Sequence, residues 1–191
     1  MDYRVAQEDL METLALWDEL MTDRGPIHLI ACGGTALTLL GYKESTKDVD
    51  FLVPVEKEYQ RLIRFLRQAG YQKVTGDGWK RPNENAIYDL YCGKRIYVTE
   101  LLTSPLSKGG HRKIRQWKRI CLGVLNPADL VISKLFRGTQ VDFQDCTTLV
   151  QREKMDFNRL EKRYRETAKY DVSEDRLLKN WNIWSQRVRK Q

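Results

Sequence analysis

The sequence predicts an α/β (α+β) chain: a small mixed sheet with flanking helices over residues 1–125, then a helical C-terminal region over 126–191. Short apolar runs, IHLIAC (27–32), DVDFLVP (48–54), IYDLYC (87–92) and ICLGVL (120–125), are interleaved with stretches of helical spacing, the mark of a sheet built through crossovers. From Asn126 onward the strand pattern stops. The charge shifts with it, since residues 1–100 carry 13 basic and 16 acidic side chains and residues 101–191 carry 20 and 10.

Residues 6–23 read as an amphipathic helix, with Leu10, Leu14, Trp17 and Met21 on one stripe and Gly25-Pro26 as its stop. IHLIAC is a short buried strand, and TALTLLG (35–41) is a short helix opened by two glycines. DVDFLVP is a strand closed by Pro54, and VEKEYQRLIRFLRQAG (55–70) is a helix ending at Gly70. Strands follow near 71–75, over 87–92 and over RIYVTELL (95–102), the last two joined by a hairpin turn at Gly93-Lys94. ICLGVL is one more strand, after which Asn126-Pro127 opens a helix with proline in its first turn. The remainder reads as three further helices. In the last of them, Trp181 and Trp184 are expected to dock the helix on the core rather than to stack on bases.

A chain of 191 residues buries enough surface to fold without disulfides. The four cysteines form no C-x-x-C pair, and with His28 and His111 the only histidines a structural zinc site is not expected. Free thiols in a reducing cytoplasm are the expectation. No apolar run approaches a membrane span, and MDYRVAQEDL is not a signal peptide. Lys108–Arg119 holds Lys108, Arg112, Lys113, Arg115, Lys118 and Arg119 with no acid, a cluster suited to phosphates or RNA, or else an ordinary solvated loop.

Two features carry chemistry. Asp48 and Asp50 alternate with apolar residues on one strand, so both point to one face, about 7 Å apart. Two carboxylates so placed raise each other's pKa, and a divalent cation relieves the conflict by taking both as oxygen ligands. Gly33-Gly34 ends one strand and opens a helix, which turns N–H groups and the positive end of the helix toward a phosphate; a tight turn that needs glycine explains the same pair. Together, a phosphate cradle, a short helix and a strand with two carboxylates describe a nucleoside-triphosphate site.

The pattern Gly33-Gly34-Thr35-Ala36-Leu37 followed by Thr46-Lys47-Asp48-Val49-Asp50 resembles the nucleotidyltransferases of the DNA polymerase beta superfamily, and within it the minimal nucleotidyltransferase and AbiEii-like toxin type. The resemblance runs over residues 27–150, where Asn126-Pro127-Ala128-Asp129-Leu130, Lys134-Leu135 and Asp142-Phe143-Gln144-Asp145 continue it. It implies a cytoplasmic, metal-dependent enzyme that moves a nucleotidyl group from an NTP to a hydroxyl, by two-metal catalysis with magnesium or manganese. Asp48 and Asp50 would be metal ligands, joined by a third carboxylate on a later strand. Asp89 and Glu100 both qualify, and Asp89 is preferred because it sits mid-strand. Gly33, Gly34, Thr35 and Lys134 would contact the nucleotide. RNA or tRNA on the basic segment is the favoured acceptor, with a protein or a small molecule also compatible. The alternative is a non-catalytic interaction module or RNA-binding component, one half of a toxin–antitoxin pair with a protein partner.

Overall fold

The computed structural model describes residues 3–22 and 25–189. In chain order the elements are β1 (Val5–Ala6), α1 (Gln7–Leu20), β2 (Ile27–Ala31), α2 (Gly33–Leu39), β3 (Ser45–Thr46), β4 (Val49–Val53), α3 (Glu56–Gln68), β5 (Gln72–Lys73), β6 (Gly78–Lys80), β7 (Tyr88–Cys92), β8 (Arg95–Ile96), β9 (Thr99–Glu100), β10 (His111–Gln116), β11 (Ile120–Leu125), α4 (Pro127–Arg137), α5 (Gln140–Arg152), α6 (Phe157–Ala168) and α7 (Glu174–Val188). The first helix was expected to reach Asp23, which lies outside the described residues.

The chain divides into two units: Met1–Lys94 with Thr103–Leu125, and Asn126–Gln191 with Arg95–Leu102. The first holds a seven-stranded mixed sheet in the order β10-β11-β2-β4-β7-β6-β5. β11 runs parallel to β2, β2 antiparallel to β4, and β4 parallel to β7. Fully buried Val49, Phe51 and Val53 alternate with Asp50 and Leu52 along β4, so one face of the strand is wholly apolar. On that face Trp17 of α1 meets Phe65 of α3 and Tyr88 of β7, with ring centroids 6.2 and 4.9 Å away, so both helices cover the side opposite the carboxylates. A small β1–β3 ribbon, invisible in the sequence pattern, flanks the sheet.

Asp18 of α1 ties the helix to the sheet. Buried, it accepts the backbone N–H groups of Lys118, Arg119 and Ile120 at 3.2, 2.6 and 2.8 Å, which caps the turn between β10 and β11.

The hairpin expected at Gly93-Lys94 does not form. β7 pairs with β4 and β6, while residues 95–102 break into β8 and β9, which pair only with each other in the second unit. Gly93 does make a turn, with φ +77°, but Tyr97 also takes positive φ (+51°) and folds the segment back after two residues.

In the second unit α4 is capped by Asn126, whose side chain accepts from Asp129 N–H, and ends at left-handed Gly138. Trp181 and Trp184 are buried against each other and against Phe157, with Tyr164 and Phe136 extending the cluster. They are core residues of this unit, as their spacing suggested. All four cysteines are free thiols, Cys32 and Cys146 buried, Cys92 and Cys121 half-buried. Among the described residues no helix is long and apolar enough to cross a membrane.

Candidate active site

β2 and β4 meet where Ala31 pairs with Phe51 and Cys32 N–H donates to Asp50 O at 3.1 Å, so the start of α2 lies directly over Asp50. That proximity explains the glycines. Gly33 has φ +56°, and a Cβ on it would fall 2.1 Å from Asp50 Oδ2. A Cβ on Gly34 would fall 2.5 Å from Thr46 Oγ1. Both glycines therefore make room for the carboxylate strand, a packing requirement that stands beside any role toward phosphate.

Thr35 is committed to the same strand. Its Oγ1 accepts Asp50 N–H at 2.8 Å and donates to Asp48 O at 3.3 Å, while Thr46 Oγ1 donates to Asp48 O at 2.8 Å. Two threonine hydroxyls thus fix the backbone of Thr46–Asp50, and with it the placement of both aspartates. Thr35 is fully buried, and its hydroxyl bonds inward to this strand.

The register of the parallel pair β4–β7 sets Asp50 opposite Asp89. Register partners in a parallel ladder point to the same face, so Asp89 joins Asp50, with Asp48 one pleat earlier on that side. Asp50 is buried; Asp48 and Asp89 are half-buried. Burial first, then the negative charges of Asp48 and Asp77, push the Asp89 carboxyl from 3.8 up to about 6. Glu100, the other candidate, sits on β9 in the second unit, exposed and paired in register with Arg95.

Sequence reasoning passed over Asp77 and Gly78. Asp77 O accepts Leu90 N–H at 3.0 Å, which sets its side chain beside Asp89. Gly78 pairs in register with Asp89, and a Cβ there would lie 2.9 Å from Asp89 Oδ1. A Gly-Asp-Gly triplet reads in sequence only as a turn; the close approach to Asp89 is a product of the β6–β7 register.

As the side chains lie, no three carboxylate, thiol or imidazole groups among the described residues gather into a metal site. The chemistry of the donors nevertheless fits a divalent cation. They are all carboxylate oxygens, the set a hard ion such as magnesium prefers, and the proton affinity of Asp89, raised first by burial and then by Asp48 and Asp77, is one that a bound cation would lower.

Lys134 takes part in a buried ion cluster within the second unit. Its Nζ donates to Asp145 Oδ2 at 2.7 Å and stands 3.7 Å from Asp142 Oδ1, and Arg137 clamps Asp142 with both arms of its guanidinium. The lysine and Asp142 are almost fully buried. The ammonium expected to reach a triphosphate is thus held by two aspartates. The same cluster lies behind the D-x-x-D step seen in the sequence.

The centre of the basic segment is a strand rather than a loop. His111–Gln116 forms edge strand β10, antiparallel to β11, with a register shift between Lys113 and Arg115. Arg112, Lys113 and Arg115 are exposed along it, and the Arg115 guanidinium lies 4.9 Å from the Trp117 ring centroid.

The mixed α/β fold is similar to nucleotidyltransferase folds. It is similar to the crystal structure of ANT(2")-Ia in complex with adenylyl-2"-tobramycin over 85% of this chain and 97% of that one, at 11% identity and a TM-score of 0.58. Residues 112–191 match the family described as "Nucleotidyltransferase of unknown function (DUF6036)". A smaller likeness, with 11% identity and a TM-score of 0.46, covers 71% of this chain and 89% of TM1012 from Thermotoga maritima. No curated protein matches the sequence.

Proposed function

We propose that the chain transfers a nucleotidyl group from an NTP to a hydroxyl of an RNA acceptor, at a site made by Asp48, Asp50 and Asp89. The observation that carries this reading is the register of β4 and β7, which brings Asp89 beside Asp50 on the face that also bears Asp48. Divalent cations, magnesium or manganese, would be held by these three carboxylates. When bound they supply a Lewis acid for the acceptor hydroxyl and neutralise the charge of the triphosphate.

The residues' own contributions follow from their placement. Thr35 and Thr46 hold the backbone of the aspartate strand, so the carboxylates meet their ligands already oriented. Gly33, Gly34 and Thr35 open α2, whose positive end is where the phosphates would rest. Asp89, set opposite Asp50 by the β4–β7 register, is the carboxylate placed to receive the proton of the attacking hydroxyl. The acceptor oxygen bonds to the α-phosphorus, the α–β anhydride bond breaks, and pyrophosphate leaves. Lys134 has the weakest claim among the residues expected to touch the nucleotide, because Asp142 and Asp145 already neutralise it.

RNA is the favoured acceptor because six basic residues and no acid lie between Lys108 and Arg119, three of them exposed on an edge strand. The test is to incubate the protein with magnesium, each α-labelled NTP in turn and total RNA. Label in RNA from one NTP is the expected outcome. Label in protein or small molecules would overturn the acceptor, and no label anywhere would favour a binding module.

A further inference from the structure

We propose that the helix-covered face of the first unit is where two copies of this chain pair, each laying α1 over α3 of the other about a two-fold axis.

This face is apolar where helices normally turn polar. α1 buries Leu10, Leu14 and Trp17 inward, yet Leu16 and Leu20, one turn apart on its outer side, are 49% and 56% exposed. Among the described residues of the first unit four large hydrophobic side chains are exposed, and three of them, Tyr3, Leu16 and Leu20, line one cavity of about 390 Å3. The rings of Trp17, Tyr71 and Tyr88 line it too, packed on one another with centroids 4.9 to 5.8 Å apart. A second cavity, about 230 Å3, shares Leu20 and Ala69 with the first and continues to Phe65 and Arg61. Together they form one groove between the C-terminal ends of α1 and α3. Clustered apolar exposure of this kind marks a docking surface.

Charge identifies the occupant. α1 carries five acids and no base, and with Asp18 buried the other four, Glu8, Asp9, Glu12 and Glu19, are exposed. α3, past Glu56 and Glu58, carries Arg61, Arg64 and Arg67 and no acid. At helical spacing Glu12 and Glu19 flank the Leu16–Leu20 stripe on the side away from Trp17, while Arg64 and Arg67 lie on the side of α3 away from Phe65. The order across the face is therefore acid, leucine, groove, base.

Such a face is its own complement. A two-fold axis running along the groove brings the two leucine stripes together and sets the acids of each copy against the arginines of the other, twice over. A partner of a single charge sign would match only half of it. The carboxylates lie on the opposite side of the sheet, so pairing here leaves Asp48, Asp50 and Asp89 facing outward, whatever reaction they serve.

The test is sedimentation equilibrium of the full chain between about 1 and 100 μM, where a monomer–dimer equilibrium with a Kd on the order of 10 μM is expected. Leu16→Glu combined with Leu20→Glu should leave only monomer over that range. Glu12→Lys with Glu19→Lys, or Arg64→Glu with Arg67→Glu, should weaken association at least about tenfold, since every reversed charge acts twice across the axis. All four reversals together should bring the Kd back to within about threefold of the parent. That recovery cannot come from a damaged fold, so the cycle decides the matter even if the leucine variant misfolds. A parent that stays monomeric at the highest concentration, or a dimer indifferent to the leucine changes, overturns this surface. A four-reversal variant no better than either pair overturns the packing of α1 on α3.

Discussion

Asp89 gives the sharpest energetic prediction. Its carboxyl is raised from 3.8 to about 6, first by burial and then by Asp48 and Asp77. A carboxylate with a raised folded-state pKa stabilises the fold below its unfolded pKa, and that stability is lost as pH climbs through the folded value. In the metal-free protein the penalty should therefore be small near pH 4, grow between about pH 4 and 6, and be complete by pH 7 to 8. The full shift corresponds to about 3 kcal/mol at about 1.4 kcal/mol per pKa unit. Because the group is half-buried, solvent screening reduces this to about 1 kcal/mol. Asp89→Asn removes the charge and keeps the shape. In urea titrations with a chelator present, the variant should be about 1 kcal/mol more stable than the parent at pH 8 and equal to it near pH 4. Magnesium should then reverse the order, by stabilising only the parent. A variant less stable than the parent at pH 8, or a difference that ignores pH, would refute the idea that Asp89 is held under electrostatic stress.

Other residues make independent claims. Gly33→Ala should cost about 2–4 kcal/mol in thermal or urea unfolding, because the new methyl meets the Asp50 carboxylate and the backbone is left-handed there. Gly78→Ala should push aside both Thr75, whose hydroxyl would lie 2.3 Å from the new methyl, and Asp89, seen as a lower melting temperature together with a fall in transfer rate. Asp18→Ala should cost about 2–4 kcal/mol, since three backbone N–H groups lose their acceptor in one step. Lys134→Met should destabilise by about 3–5 kcal/mol by stranding the Asp145 charge. A fully stable variant that lost NTP affinity would restore Lys134 to the nucleotide.

Much of this architecture could be read from the chain. The apolar runs that became β2, β4, β7 and β11 and the stripes that became α1 and α3 are periodic signals. The glycine pair and the aspartates stand out in the sequence because they interrupt otherwise apolar runs. What escaped depends on pairing. Asp89 is the sequence's preferred third carboxylate and the β4–β7 register sets it opposite Asp50, whereas Asp77 and Gly78 enter only through the β6–β7 register. Residues 95–102 carry strand-like side chains, yet Tyr97 at positive φ folds them into a ribbon of their own. The basic segment hides a strand because alternation cannot be seen where most residues are charged and one edge has no neighbour. Lys134 looked solvent-facing or substrate-facing by type. Its real partners, Asp142 and Asp145, lie one helix further on and meet it only after α4 and α5 pack.

The measurement closest to the central claim is the rate of label transfer from an α-labelled NTP for the parent and for Asp48→Asn, Asp50→Asn, Asp89→Asn and Glu100→Gln. Loss of a metal ligand or of the proton acceptor should cost at least about 100-fold in each aspartate variant. Glu100→Gln should match the parent. Full activity in any of the three aspartate variants, or an inactive Glu100→Gln beside an active Asp89→Asn, would contradict the site proposed here.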